Sequence, residues 1–138
     1  MNHYMFEELK EGISADFTVK VTAEMQELFT TLSGDENPMH MTDDYARANG
    51  YENRLVYGML TASFYSRLVG MYLPGEHCIF HEADIKFNAP VYVGDELTVF
   101  GEVAECDEVF RRIKIKAYIK NQSGKKVSKA TLYVGVKA

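Results

Sequence analysis

The spacing of apolar residues predicts that helices dominate the first half of the chain. Four apolar residues recur at i, i+3, i+4 and i+7, the spacing that places them on one helical face: Met25, Leu28, Phe29 and Leu32. We predict a helix here, with Thr22 as its N-cap, Ser33-Gly34 as its end and the apolar stripe facing a core. A second, short helix is predicted from Thr42 to Gly50.

Alternation between apolar and polar residues predicts five strands. The first covers Asp16 to Val21, ahead of the first helix. Four more are predicted in the second half of the chain: Cys78 to Phe87, Glu96 to Val103, Phe110 to Ile119 and Val127 to Val136. The third of these alternates most clearly, with Ile113, Ile115 and Ile119 on one face. The turn-forming residues Asn121 to Gly124 indicate that the last two strands pair as a hairpin.

Residues 57 to 71 form the most apolar segment, with apolar side chains on nearly every side of a helix. A helix of that kind is buried. One buried helix against an antiparallel sheet is an α+β layer architecture. The length of 138 residues fits one domain, and no repeat, low-complexity tract or linker interrupts it. We therefore expect residues 1–138 to form a single domain.

Composition and charge narrow the classes of partner. The net charge is -5, yet residues 111–138 carry nine Lys and Arg side chains and no Asp or Glu. Most of these bases alternate with apolar residues, as on the solvent-facing side of strands, although they could also attract an anionic ligand, for example one with phosphate groups. The acidic total and the lack of interleaved aromatic residues argue against nucleic acid as a partner.

Localisation and cofactors are predicted mainly from what the sequence lacks. It shows neither a signal peptide nor a membrane-spanning segment, so the expected location is the cytoplasm and no membrane partner is expected. Cys78 and Cys106 lie 28 residues apart without a metal-binding spacing, and we expect both to be reduced and buried. We expect neither a metal ion nor a cofactor.

Asp35 and His40 are the candidate catalytic residues. They lie five residues apart across a segment that Pro38 stiffens, an arrangement that can aim two proton-transfer groups at one water molecule. Each feature alone has a simpler explanation, because residues 35–38 could be an Asx-type turn and His40 could be a structural histidine. A calcium-binding loop is excluded, since Met39 stands at its fifth position and no glycine follows.

The segment around these residues resembles the signature of the MaoC-like, or type 2, (R)-specific enoyl-CoA hydratases. The matching residues are Ser33-Gly34-Asp35-x-Asn37-Pro38-x-His40, Gly58-Met59-Leu60 and Ser66. The similarity extends over practically the whole chain, and its specific part runs from Leu32 to Ser66. It implies a hotdog fold, in which a curled antiparallel sheet wraps a central helix, here the helix that begins at Gly58.

The resemblance also implies a role for each residue of the site. Asp35 and His40 would share the base and acid steps of adding water to a trans-2-enoyl thioester, with both additions on one face of the double bond. Asn37 would fix the loop through its amide. The N–H of Gly58 would donate to the thioester oxygen, and Ser66 would hydrogen-bond to a catalytic side chain or to its water.

Tyr57 departs from the family pattern, because many members have a histidine just before the Gly-Met-Leu sequence. A tyrosine has a pKa near 10, so it can donate a hydrogen bond but is a poor base near neutral pH. The departure leaves the proposed pair untouched. It does affect how the thioester or the catalytic loop is held, and it could narrow the acyl pocket.

The resemblance implies a thioester of CoA or of an acyl carrier protein as the substrate, and by analogy a homodimer or a larger homo-oligomer. Two other functions remain open. A hotdog acyl-CoA thioesterase would share the fold but typically uses a carboxylate on or near the central helix, and residues 58–71 contain no Asp or Glu. The third interpretation is a non-catalytic module that binds acyl thioesters, against which the presence of both Asp35 and His40 argues.

Overall fold

Five antiparallel strands form one sheet, and four helices accompany it. The structure is a computed structural model, and it describes residues 1–138. A short 3-10 turn at Phe6–Glu8 precedes the elements, which are in chain order β1 Ser14–Lys20, α1 Ala23–Ser33, α2 Pro38–Met41, α3 Asp43–Ala48, α4 Gly58–Met71, β2 Cys78–Phe87, β3 Glu96–Asp107, β4 Arg112–Lys120 and β5 Lys126–Val136. The order of the strands in the sheet is β1-β3-β4-β5-β2. All five predicted strands are present. The helices pack with this sheet in the predicted α+β arrangement.

The strands bury the alternating face that the sequence predicted. Ile113, Ile115 and Ile119 of β4 are all fully buried, and Ile115 pairs with Leu132 of β5. The hairpin between β4 and β5 turns at Asn121, whose N–H donates to the Lys125 carbonyl at 2.9 Å. This turn confirms the predicted pairing of the last two strands.

Several strand boundaries differ from the prediction by a few residues. Two of these differences have clear local reasons. β3 continues beyond Val103 to Asp107 because a bulge between Val103 and Glu105 shifts the register and lets pairing with β4 resume. β4 begins only at Arg112, since Arg111 has a φ of 48° and belongs to the turn. Cys106, in the extended part of β3, is exposed and Cys78 is half-buried, so the prediction that both are buried was wrong; both are free thiols.

α4 lies on the inner face of the sheet. Tyr65 and Leu68 are completely buried. Gly101 of β3 makes room for Leu68, because a Cβ there would lie 2.7 Å from Leu68 Cδ2. The prediction that α4 is buried on all sides was wrong, since Met59 and Ser66 are exposed on the side that the sheet does not cover. No helix in the chain has the length and apolar character needed to cross a lipid bilayer.

α1 has the predicted caps but buries a face shifted toward Gln26. The Thr22 side chain accepts from the Met25 N–H at 3.2 Å, and Gly34 ends the helix with a φ of 73°. Half of the predicted apolar stripe faces the core, because Met25 and Phe29 pack against it, whereas Leu28 and Leu32 are exposed. Gln26 is the buried residue of this helix, at 1% exposed. The helix turns Gln26 inward because backbone carbonyls there accept hydrogen bonds from its amide.

The segment between α1 and α3 is partly helical, whereas the sequence predicted only a loop. α2 is a single turn that carries His40. Its first residue is Pro38. A proline has no backbone N–H, and at the first position of a helix this loses no hydrogen bond, because the N–H of any residue there would lack a helical partner. Thr42 caps α3 by accepting from the Tyr45 N–H at 3.4 Å, as predicted.

Candidate active site

Short-range hydrogen bonds shape the loop that carries Asp35. Its Oδ1 accepts from the Asn37 N–H at 3.0 Å, an Asx-type turn. Asn37 Oδ1 in turn accepts from the Met39 N–H at 3.0 Å and so caps α2. The turn and the cap follow each other directly. Together they set the path of the chain from the carboxylate of Asp35 to the imidazole of His40.

His40 is held by a backbone carbonyl. Its Nδ1 lies 2.8 Å from the oxygen of Leu55. A carbonyl oxygen can only accept, so Nδ1 carries the proton in the neutral ring and Nε2 keeps its lone pair. No group of the chain hydrogen-bonds to Nε2. The second ring nitrogen is therefore ready to accept a proton.

Gln26 donates hydrogen bonds to the backbone carbonyls of both residues, His40 and Leu55, that this bond connects. Its Nε2 donates to the His40 carbonyl at 3.1 Å and to the Leu55 carbonyl at 2.9 Å. The sequence analysis did not predict a role for Gln26, because the inward face of α1 was predicted from its apolar positions alone. A polar pair at i and i+4, here Gln26 and Thr30, on a helix otherwise rich in apolar residues was the available signal.

Tyr57 immediately precedes α4 and is 2% exposed. Its hydroxyl donates to the backbone carbonyl of Asp35 and lies 2.8 Å from Thr30 Oγ1. Its ring stacks on the His40 ring with the centroids 4.1 Å apart. The residue that departs from the family pattern thus contacts both ends of the segment from Asp35 to His40.

Gly58 begins α4 beside the ring of Phe87. A Cβ at Gly58 would lie 3.3 Å from Phe87 Cζ. The N–H groups of Gly58, Met59 and Leu60 make no hydrogen bond within the chain, as expected for the first turn of a helix. These donors carry the partial positive charge of the helix N-terminus. They can stabilise negative charge on a bound ligand.

A cavity of about 430 Å³ adjoins this helix terminus. Twelve residues line it and seven of them are hydrophobic, which suits an acyl chain or its pantetheine arm. His40, Gly58 and Phe87 are among the lining residues. Thr61 also lines the cavity, and its buried hydroxyl has no hydrogen-bond partner in the chain.

The structure brings together most, but not all, of the residues predicted for the site. His40 and Gly58 border one cavity, and Tyr57 links His40 to the Asp35 backbone. The Asp35 side chain is exposed and does not line that cavity. Ser66 is exposed on α4 and forms no hydrogen bond within the chain. No cluster of three or more His, Cys, Asp or Glu side chains could hold a metal ion.

The chain matches known proteins over most of its length. Residues 6–125 match the family described as MaoC like domain. The chain is 42% identical over 96 residues to an (R)-specific enoyl-CoA hydratase from Rhodospirillum rubrum, a match that spans 70% of this chain and 66% of that protein. It is 36% identical over 89 residues to a mitochondrial 3-hydroxyacyl-[acyl-carrier-protein] dehydratase from Arabidopsis thaliana, spanning 64% of this chain and 52% of that protein.

A solved structure shares the fold. The (R)-hydratase from Aeromonas caviae involved in PHA biosynthesis superimposes with a TM-score of 0.90 at 32% identity, over 94% of this chain and 98% of that chain. This likeness confirms the predicted hotdog fold. The names of the relatives confirm the predicted relation to hydratases and dehydratases, which are lyases. The chain therefore belongs to the MaoC-like family.

Proposed function

We propose that this chain is an (R)-specific enoyl-CoA hydratase, which adds water reversibly to trans-2-enoyl thioesters. The observation that carries the proposal is the state of His40, whose Nδ1–H donates to Leu55 and leaves Nε2 free at the edge of an acyl-sized cavity. Family membership supports the same reaction class. We further propose that residues 1–138 act as a single MaoC-like domain in the cytoplasm.

The proposed chemistry uses Asp35 and His40 as a pair. In hydration, water loses a proton as its oxygen bonds to the β-carbon, and the α-carbon gains a proton as the double bond is lost. The Asp35 carboxylate can accept a proton, and His40 Nε2 can accept one or, once protonated, donate it. The Asn37 N–H holds Oδ1 of the exposed Asp35 side chain, and Oδ2 has no partner within the chain and is open to a water or a substrate. We propose that the two residues share the proton steps.

Gly58 is proposed to stabilise the thioester oxygen as negative charge develops there. Its N–H lies at the positive end of α4 and has no acceptor within the chain. The absence of a side chain lets the substrate approach the backbone. Asn37, Tyr57 and Ser66 complete the proposal as supporting residues. For Ser66 the support is its position on α4, two turns after Gly58, where its hydroxyl is open to a substrate or a water.

The direct test is to follow the enoyl absorbance of crotonyl-CoA and of longer enoyl-CoA homologues. We expect it to fall on addition of the purified protein, with the (R)-3-hydroxyacyl thioester as the product on chiral analysis. The same series on carrier-protein thioesters separates the two carriers. Release of free thiol would instead indicate a thioesterase, and binding without turnover of any thioester would indicate a non-catalytic module.

Variants test the catalytic pair. Asp35→Asn and His40→Ala should each lower kcat by roughly 10²-fold or more, since each removes a proton-transfer group. Asp16→Asn and His3→Ala are matched controls, because both side chains are exposed and distant in sequence from the motif. Circular dichroism should show that all four variants are folded. Wild-type turnover in either Asp35→Asn or His40→Ala would show that the pair is wrong.

We also propose that two copies of the chain pair through β2. This strand is one edge of the sheet, and eight of its ten residues are exposed. Ile79, Phe80 and Phe87 are among the exposed apolar residues, and Met59 of α4 is also uncovered. A long apolar edge strand with unpaired backbone groups is a template for a second strand. Pairing would cover both the edge and the open side of α4.

Sedimentation velocity over a concentration series tests this pairing. We expect a species of twice the mass of one chain, and substitution Ile79→Lys, which places a charge on the edge strand, should shift it toward the single-chain mass. Lys116→Glu on the outer face of β4 is the control for a change of surface charge. A single-chain mass for the wild type at all concentrations would refute the dimer. A larger assembly would show that a further surface contributes.

A further inference from the structure

We propose that Tyr57 and Gln26 are positioning residues that fix Asp35 and His40 relative to each other, with α1 as their common support. The catalytic part of this inference rests on the proposed hydratase function. The structural part, that two polar side chains hold the ends of the motif, stands on its own contacts. It assigns a role to Gln26, which the sequence pattern did not single out.

Tyr57 ties the Asp35 end of the motif to α1. The Asp35 carbonyl can only accept, so the single hydroxyl proton of Tyr57 is donated there. Thr30 belongs to α1, and its Oγ1 lies 2.8 Å from the Tyr57 oxygen and 3.0 Å from the Gln26 carbonyl. The one hydroxyl proton of Thr30 is shared between these two acceptors. The hydroxyl of Tyr57 thus connects the backbone of the catalytic aspartate to a rigid helix.

The Tyr57 ring supports the other end. It stacks on the His40 ring at a centroid distance of 4.1 Å and also contacts Phe29 of α1, with the centroids 4.9 Å apart. With its hydroxyl hydrogen-bonded and its ring packed in this way, Tyr57 is 2% exposed. A side chain bonded at its tip and packed on its ring has little freedom, so it can fix the orientation of the imidazole.

Gln26 holds the acceptor that orients His40. One Nε2 atom supplies two N–H groups, and they reach the carbonyls of His40 and Leu55 at 3.1 and 2.9 Å. The Leu55 carbonyl is the same oxygen that accepts the His40 Nδ1–H. Gln26 therefore fixes both the backbone of His40 and the group that selects its tautomer.

α1 presents these contacts from one face. Gln26, Phe29 and Thr30 stand at i, i+3 and i+4, so they project from one side of the helix. Tyr57 and Gln26 hold opposite ends of the motif to that same side. Loss of either contact should alter the separation and orientation of the two catalytic groups. Because neither Tyr57 nor Gln26 lines the cavity, the effect should fall mainly on kcat and much less on KM.

The experiment compares Tyr57→Phe with Tyr65→Phe. Both variants remove one buried phenolic hydroxyl and keep the ring, and the Tyr65 hydroxyl bonds to Ser128 at 2.9 Å, away from the motif. Gln26→Met, which keeps the length of the side chain and removes its amide, tests the second contact. For each purified full-length variant, kcat and KM are measured with crotonyl-CoA, and hydrogen exchange of residues 34–41 is followed by mass spectrometry.

We expect kcat of Tyr57→Phe and of Gln26→Met to fall roughly tenfold or more, with KM within about threefold of the wild-type value. Amide exchange of residues 34–41 should become faster in both variants. Tyr65→Phe should leave kcat and this exchange unchanged, although its thermal stability falls. A positioning role is overturned if Tyr57→Phe keeps wild-type kcat, or if Tyr65→Phe loses as much activity.

The exchange measurement separates this inference from the proposed reaction. If the wild type converts no enoyl thioester, the proposed function fails, yet faster exchange in Tyr57→Phe alone would still show that its hydroxyl holds the motif. If the wild type is active and exchange of residues 34–41 is the same in Tyr57→Phe and the wild type, the hydroxyl does not hold the loop. The inference then fails while the reaction stands.

Discussion

The sheet with α4 and the motif of residues 33–40 are held together by different interactions. In the sheet, long runs of paired backbone and a continuous apolar face support each strand, as for Ile115 beside Leu132. In the motif, individual side chains bond to individual backbone groups, as Asn37 does to Met39 and Gln26 to Leu55. The first region distributes its stability over many contacts. The second depends on a few polar atoms.

This difference predicts that substitutions separate stability from activity. A change in the sheet core should lower the free energy of unfolding and leave the geometry of the site intact in the molecules that remain folded. A change in the motif should cost less stability and more turnover.

Leu132→Ala should cause the largest loss of stability. Leu132 is fully buried on β5, an inner strand of the sheet, and such a truncation removes apolar burial and leaves a cavity. We expect the free energy of unfolding to fall by about 2–5 kcal/mol in urea titrations. In conditions where the variant stays folded, kcat should remain close to that of the wild type. A large loss of kcat in fully folded protein would contradict the separation of the two regions.

The same substitution at two glycines should give opposite results. At Gly101 the new Cβ would meet Leu68 Cδ2 at 2.7 Å, so we expect Gly101→Ala to cost about 1–3 kcal/mol of stability through overpacking. At Gly58 the nearest atom is Phe87 Cζ at 3.3 Å. Gly58→Ala should therefore lower the free energy of unfolding by less than about 1 kcal/mol. Its new methyl group should keep the thioester from approaching the backbone and so lower kcat/KM.

Paired urea titrations and rate measurements test this comparison. Wild-type stability in Gly101→Ala would show that Leu68 can move aside without cost. Wild-type kcat/KM in Gly58→Ala would show that the substrate does not approach this backbone position.

Asn37→Ala should have a smaller effect on stability and a clear effect on turnover. It removes the cap of α2, which costs about 0.5–2 kcal/mol. Because this turn orients His40, we also expect kcat to fall roughly tenfold. Thr22→Ala is the control, since it removes the cap of α1 and should cost similar stability without the loss of kcat. Equal kcat losses in the two variants would indicate that any cap has the same effect.

Ionisation of the Tyr65 phenol should have the smallest effect on stability, and only at alkaline pH. Burial raises the pKa of Tyr65 to about 12, above the value near 10 expected in the unfolded chain. A group whose pKa is raised in the folded state contributes its full stability below pH 10 and loses that contribution as pH rises toward 12. At pH 11 the loss is on the order of 1 kcal/mol.

Unfolding in urea at pH 9 and pH 11 measures this loss. Tyr65→Phe has no phenol to ionise, so its stability should fall less between the two pH values than that of the wild type. An equal fall in both proteins would show that other groups dominate alkaline unfolding.

The same contrast explains what the sequence could predict. The strands follow from alternation, because each inward position of β4 is apolar and the whole face is buried together. The buried face of α1 does not follow from periodicity, because its central residue is Gln26, a polar side chain whose partners lie up to 29 residues away. α2 is a single turn, too short for a periodic signal, and its Pro38 looks like a helix breaker.

The motif could be recognised from sequence, but its support could not. The Asp-x-Asn-Pro-x-His pattern and Gly58 identified the family, which the comparisons confirmed. The bond from His40 Nδ1 to Leu55 and the contact of Tyr57 with Asp35 join residues 15 and 22 positions apart. Such pairs depend on the tertiary fold, and no local pattern encodes them. The assignment of Asp35, His40 and Ser66 to the chemistry stays a prediction.

The Leu55 carbonyl has a consequence for protein engineering. Residues 33–40 contain the carboxylate and the imidazole, yet the oxygen that orients the imidazole and the amide that holds this oxygen belong to Leu55 and Gln26. A graft of residues 33–40 onto another hotdog scaffold would transfer both reactive groups without their alignment. The transferable unit is the motif together with the inward face of α1 and residues 55–58.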